Sequence, residues 1–431
     1  MKHLQRTFSH HMLILVMIAA LVTGLSACNS SPEEGITGSG APILVAAGPM
    51  SKPSGNLVVN GTAFDTSSVA VMVNGAPASL DVLVPGQLVQ VSGEIGPDGR
   101  QLATDVVYDT TIRGLITDRK DGSRNQIPTQ EVTVLGRTVA IVPESVVDSA
   151  LGEGAFNASH PTLQIGQTIE VSGYDNSSGM IEARSVIASD QTTGILSGVI
   201  EQLNRVVGLM QLGGTDISFD PAILPVGVGN GDKIQIVTTL SDNDSPTLVA
   251  ESIRKLLPLP TGQHASINGL LHTVEATEGP VDGTTSATMI VNGQSVSADS
   301  TTFCTECLLT SLATDLETTI LGVINPEGVF EAETIEQIVP VTMRQEFIIT
   351  DIAISSRRPV AVGSIFNQDG SALQTLASTV YVDLTNDAEP NFDLSNLRNG
   401  DHIIATWRTA TDGSDTRFVA TIERTLYQGN R

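Results

Sequence analysis

One unit of sequence recurs along the chain, and it limits the fold more than any other feature. A tight turn built around glycine is followed by alternating apolar residues. The copies begin at Pro85-Gly86-Gln87, Ile165-Gly166-Gln167, Asn230-Gly231-Asp232 and Asn399-Gly400-Asp401, and the first runs on to Gly93, the second to Gly173. Period-two alternation after a turn is the mark of a strand with one face buried. A second signature follows: an apolar residue, Ala, a polar residue, then apolar again. It occurs at Leu102 to Val106, Ile181 to Val186, Val249 to Ile253, Phe330 to Ile335 and Val419 to Ile422. A third element, carrying Gly55, Gly114, Gly198, Gly269 and Gly363, opens the units. The unit with Phe330 has lost its leading glycine near Leu316, so four complete copies and one degraded copy make five repeats.

Asn60-Gly61, Asn74-Gly75 and Asn292-Gly293 each follow Val and read as tight hairpin turns, because Asn-Gly supplies the positive φ angles of a type I′ turn. Helix is expected only in short pieces, at Ser145 to Leu151 and Leu308 to Leu316. Each repeat then holds about five short strands. Such a sheet cannot safely leave two raw edges, and closure into a small barrel removes them. The expected fold is all-β, with about five tandem OB-like barrels; a β-sandwich is the alternative. The expected boundaries are 1–27 signal peptide, 28–50 tether, and repeats at 51–112, 113–190, 191–260, 261–340 and 341–431.

The N-terminus carries an address. Lys2 and Arg6 precede an apolar run from Met12 to Gly24, too short to span a bilayer and suited to a secretory signal. Leu25-Ser26-Ala27-Cys28 resembles the lipobox of bacterial lipoproteins, in which Cys28 is lipidated and becomes the first mature residue. Two or more acyl chains hold a protein stably where one does not. Asn29, in place of Asp, leans toward the outer membrane. The Ser-, Gly- and Pro-containing stretch beyond it reads as a flexible tether.

The whole chain has 22 basic and 47 acidic side chains, a net charge of −25. Removing residues 1–27 leaves 20 basic against 47 acidic, or −27. From this charge a nucleic-acid partner is not expected, since phosphates are met by Lys and Arg. The expected partners are the membrane, through lipid on Cys28, and an envelope protein.

Candidate chemistry is sparse. His160, His264, His272 and His402 remain after the signal, without ligand spacing. No G-x-S-x-G elbow or phosphate-cradling loop is present, and Gly227 to Gly231 lacks dinucleotide spacing. The acidic loops Asp242-Asn243-Asp244 and Asp412 to Asp415 do not match a calcium loop. Cys304-Thr305-Glu306-Cys307 is a CxxC without the βαβ setting of a redox site, without a haem-type His next, and without nearby zinc ligands. In an oxidising compartment a Cys304–Cys307 disulfide is the expected state. No cofactor, no metal and no catalytic residue are expected.

The run Val59 to Asp65, then Leu83 to Gly93, then Asp98-Gly99 and Ala103, resembles a tandem-repeat domain of bacterial lipoproteins, domain of unknown function 5666. The resemblance is closest over 50–110 and weakens through 112–190, 194–255, 261–338 and 343–425. It implies a small barrel-like unit, secretion and lipid anchoring, and it brings no activity. The expected function is a non-catalytic, lipid-anchored envelope scaffold, its barrels strung as an extended rod. The alternative is an oligosaccharide- or peptidoglycan-binding module. The scattered aromatics Phe64, Phe303, Phe330, Trp407 and Phe418 read as core plugs and weaken that alternative.

Overall fold

A computed structural model describes residues 42–52, 56–124, 127–151, 162–240, 247–278, 285–305, 309, 312–337, 343–356, 361–385, 392–409 and 417–426. Five barrels follow one another, each made of five strands, numbered 1 to 5 here within each barrel. In barrel 2 these are Ile112–Arg124, Ile127–Val134, Arg137–Val147, Thr168–Asp175 and Ile181–Ala188. Strand 1 pairs antiparallel with strands 2 and 4, strand 2 with strand 3, and strand 4 with strand 5. Strand 3 runs parallel to strand 5 and closes the circuit. The same circuit joins the strands of barrel 1 (Val45–Ser51 to Gln101–Tyr108), barrel 3 (Thr193–Asn204 to Ser252–Lys255), barrel 4 (His264–Glu278 to Phe330–Gln337) and barrel 5 (Met343–Ile348 to Arg417–Leu426). Closure pairs most of the sheet edge within each barrel, which is why the barrel wins over the sandwich, and the free half of strand 1 pairs with a neighbouring barrel.

Three local devices explain the repeating signatures. The first is the turn before strand 4. Gly86, Gly166, Gly231 and Gly400 all have φ near +90°, a region that favours glycine. Each donates its N–H to strand 1, at the carbonyls of Met50, Ile116, Ile200 and Ile349. The next residue caps the turn: side chains of Gln87, Gln167, Asp232 and Asp401 each accept from the N–H three residues back. In barrel 4 the glycine position is Asp315, at φ +59°, and it still donates to Leu271.

The second device is a two-residue hairpin between strands 2 and 3. Asn60-Gly61, Leu135-Gly136, Gly213-Gly214 and Asn292-Gly293 all have two consecutive positive φ angles, the type I′ geometry that matches strand twist. A glycine in strand 1 lies against this turn in three barrels. A Cβ at Gly48 would stand 2.2 Å from Asn60 Oδ1, at Gly114 2.9 Å from Leu135 Cγ, and at Gly269 2.6 Å from Asn292 Cβ. The strand-1 bonds to the turn therefore make Gly48, rather than Gly55, the counterpart of Gly114, Gly198 and Gly269. In barrel 5 the counterpart is Phe347, while Gly363 belongs to strand 2.

The third device is a bulge between strands 4 and 5. Register slips at Gly93, Gly173 and Gly322, which face Ala103, Ala183 and Ala332. A Cβ at these glycines would come within 2.5 Å of a carbonyl oxygen of strand 5. Hence the two signatures are one feature, a small cross-strand pair. In barrel 5 the slip puts Trp407 opposite Val419, so Val419, not Ala420, is the counterpart of Ala103.

Helix is scarcer than expected. Ser145 lies in strand up to Val147, and only a single 3-10 turn follows at Ser149–Leu151. The second candidate, 308–316, lies partly outside the described residues. The first barrel also starts at Val45, inside the stretch assigned to the tether. Val45, Ala46 and Met50 are fully buried, so that segment is paid for by core contacts and not left to solvent.

All described residues belong to one compact unit, Gly38–Arg431. Barrels 2 and 3 share one hydrophobic cluster, and Val45 of barrel 1 is buried in the core of barrel 4.

Candidate functional site

The side chains that sequence reasoning singled out do not converge. Cys28, Cys307 and His160 lie outside the described residues, as do both acidic loops. Cys304 sits in strand Phe303–Thr305, packed against the barrel 4 core, and is half of a disulfide. His264 and His272 are in barrel 4 and His402 in barrel 5; His264 lies 3.5 Å from Glu333 and His402 4.0 Å from Glu346. Among the described residues no group of three or more His, Cys, Asp or Glu is placed to hold a metal. Trp407, Phe64 and Phe330 are buried in cores, as expected of plugs, but Phe303 is 62% exposed.

What converges instead is a joint where barrels 1 to 4 meet. Its backbone part is a parallel pairing of Val45, Ala46 and Ala47 with Ala265, Ser266 and Ile267. The first strand of barrel 1 thus continues its sheet into the first strand of barrel 4. A second, antiparallel pairing joins Ile112 and Arg113 of barrel 2 to Leu196 and Ile195 of barrel 3.

Hairpin asparagines then tie barrels together. Asn60 has its backbone in the turn, and its amide donates to Ala47 O at 3.0 Å and across the joint to Ser266 O at 3.2 Å. Asn74 accepts from Thr110 N–H and from the amide of Gln235 in barrel 3, both at 2.9 Å. Asparagine suits both tasks, since it tolerates positive φ and offers a donor and an acceptor.

Barrel 2 meets barrel 4 through polar groups on the strand 4 hairpin. Tyr174 is fully buried and donates to Asn268 Oδ1 at 2.5 Å, and Asn268 donates to Thr319 at 2.8 Å. His272 Nε2 lies 2.6 Å from Asp175 O. Asp315, the residue replacing the turn glycine, accepts from the backbone N–H of Ser177 at 2.6 Å and from its hydroxyl. Arg184 and Glu317 form a buried ion pair. Burial is the largest single influence on Arg184 and works against its charge, but Glu317, Glu144, Tyr174 and Glu182 together outweigh it and hold the guanidinium above its ordinary pKa. Burial, with the Glu317 charge second, pushes the Tyr174 phenol well up, so it stays a neutral donor.

Barrel 1 meets barrel 2 where Tyr108 donates to Glu170 at 3.0 Å and Leu88 N–H donates to Ser172 at 2.8 Å. Barrel 5 meets barrel 2 through Arg344, which donates to Pro143 O at 2.7 Å and grips Glu423 with two bonds of 2.8 and 2.9 Å. Tyr108, Tyr174, Arg184 and Arg344 are buried with their partners, and removing one side strands the other without water. Chemically this joint holds geometry.

Among curated proteins no match to the chain is found. Solved structures similar to it include a single-stranded DNA binding protein from Thermus aquaticus, 12% identical over 53% of this chain and 91% of that one, TM-score 0.15. A second is drosophila Unr CSD456, 12% identical over 56% and 99%, TM-score 0.14. A third is a multidomain protein with nucleic acid binding domains from Streptococcus pneumoniae, 14% identical over 54% and 74%, TM-score 0.13. The expectation that excluded nucleic acid is corrected here. Proteins named for nucleic-acid binding stand among these structures, and a net charge averages over a surface whose local fields differ. At these TM-scores the likeness assigns no ligand to this chain.

The model of a family described as domain of unknown function, DUF5666, matches residues 50–107, 113–187 and 278–336. The match reaches barrel 4, where the sequence signature is degraded, and leaves out barrel 3, where it is intact. Barrels 1, 2 and 4 thus carry three matched copies of this domain of unknown function, and barrels 3 and 5 repeat its strand circuit outside the match.

Proposed function

We propose that this chain is a non-catalytic scaffold of the bacterial cell envelope, held by lipid on Cys28, at the outer membrane. The observation that carries the reading is the joint. Buried and part-buried bonds from Asn60, Asn74, Tyr174 and Arg184 tie four barrels to one another. A chain that spends so many buried polar groups on inter-barrel geometry presents its outer surfaces in fixed mutual positions. That is the property of a structural or protein-binding platform, and it favours several simultaneous weak contacts. The lipobox-like Leu25 to Cys28 supports the anchor. No helix among the described residues is long and apolar enough to cross a membrane. The Cys304–Cys307 pair is proposed as a local disulfide closing a very short loop.

The test has two parts. Cells are fed labelled palmitate, and label is expected on the wild-type chain but not on Cys28→Ala. In-cell cross-linking with mass spectrometry is then expected to recover one reproducible envelope protein, lost in Cys28→Ala. Absence of label removes the anchor, and recovery of glycan fragments alone replaces the scaffold with a glycan-binding module.

A further inference from the structure

The loops at one end of barrel 3 expose three valines. The hairpin between strands 1 and 2 has the tip Arg205-Val206-Val207-Gly208. Val206 is 89% exposed and Val207 59%. The loop before strand 4 carries Val226, fully exposed. These two loops sit together, because Leu203 N–H donates to Asn230 Oδ1 at 2.8 Å. The valines are held out, not merely left out: Asn204 Oδ1 accepts from the N–H of Val206 at 3.1 Å and of Val207 at 3.3 Å. An Asx turn of this kind fixes the tip backbone.

The charge of this end is also unlike the rest. Residues 202–208 and 221–231 contain no Asp or Glu, although the chain carries 47 acids, and they contain Arg205. Flanking Asp232 is paired with Lys255 at 2.8 Å. Glu201, Asp220 and Asp232 border these stretches, so Arg205 is the one charged side chain within the two loops, and their other residues are uncharged. Exposed valines beside an arginine, on a rigid tip, match the interfacial zone of a phospholipid bilayer, where apolar groups enter the acyl boundary and a cation meets the headgroup phosphate.

We infer that this end of barrel 3 rests on the bilayer surface. The inference rests on the lipid-anchor reading for its biological setting. Cys28 and Val45 are 17 residues apart in sequence, which spans at most about 60 Å. An anchored chain therefore keeps its barrels near the bilayer, and a weak second contact becomes effectively intramolecular. The tip then sets which way the scaffold faces.

The test separates the two readings by removing the anchor. The chain from residue 28 to 431 carrying Cys28→Ala is mixed with vesicles of phosphatidylethanolamine and phosphatidylglycerol and floated on a density gradient. A measurable floating fraction is expected, with at least a five-fold drop for Val206→Asp/Val207→Asp and for Val226→Asp. Unchanged melting temperatures would show that the variants still fold. A chain that stays at the bottom overturns the inference, and so do variants that float as well as the parent. A dimer by light scattering that the same substitutions dissociate also overturns it, since the valines would then meet a second copy. None of these outcomes depends on lipidation, which the palmitate experiment reads separately.

Discussion

Barrels 4 and 5 depart from the repeat pattern in opposite ways. Barrel 4 has lost the turn glycine and the polar cap after it, where Asp315 and Leu316 now stand. Barrel 5 keeps Asn399-Gly400-Asp401 but has Trp407 where barrels 1, 2 and 4 have the bulge glycine. The losses in barrel 4 coincide with its contacts to barrel 2, through Asp315 to Ser177 and Glu317 to Arg184. The change in barrel 5 turns inward. Trp407 fills its core, and Arg424 is buried against Asp383, 3.7 Å from Asp401 and 4.4 Å from the centre of the Phe392 ring. Its strands, the first of them broken into Met343–Ile348 and Asp351–Ser356, pair only with one another. Departure from the signature in barrel 4 therefore serves assembly, and in barrel 5 it serves a self-contained core.

The comparison breaks most severely at the bulge. Gly322→Val would drive a Cβ to within 1.9 Å of Glu331 O, and barrel 4 should lose its fold, seen as loss of amide exchange protection over 264–337. Protection at Val45 to Ala47 should fall with it, because those residues pair with barrel 4. In barrel 5 the reverse change, Trp407→Ala, leaves a cavity and should cost about 3–5 kcal/mol in denaturant unfolding of that barrel. Protection in barrel 4 should not change.

A finer contrast comes from pH. Burial raises the Glu423 carboxyl above its ordinary 4.5, and Arg344 only partly opposes this. A pKa raised in the folded state means that the folded chain holds the proton more tightly than the unfolded chain. The stabilisation from this group is complete below about 4.5 and is lost as pH rises through the folded value. Glu423→Gln should therefore flatten the pH dependence of barrel 5 melting just above 4.5, with barrel 4 melting unaltered. The smallest effect is expected for Asp315→Gly. It relieves a positive φ, worth about 1 kcal/mol, and removes the bonds to Ser177, worth a similar amount. Barrel 4 melting should shift little, while amide exchange at Ser177 should quicken.

How much of this was legible depended on distance along the chain. The glycine turns, the Asn-Gly hairpins and the all-β circuit were readable, because each needs only a few adjacent residues. Gly55 and Gly363 were misplaced because a glycine before apolar residues is a weak local mark. Ala420 was off by one because the bulge register is set by its partner Trp407, not by strand 5 itself. The joint was not legible at all. Tyr174 and Asn268 are 94 residues apart, and neither belongs to a periodic pattern. Single polar residues that meet only after folding leave no local trace.

The pairing of Val45 to Ala47 with Ala265 to Ile267 also imposes a schedule. The partner strand lies 220 residues downstream of Val45. At ~5–20 residues per second of synthesis, that partner follows by about 10–40 s. Through that interval barrel 1 offers the outer edge of its first strand, Val45 to Ala47, to any other strand. Truncation before residue 265 would make the vulnerable edge permanent and the product prone to aggregate.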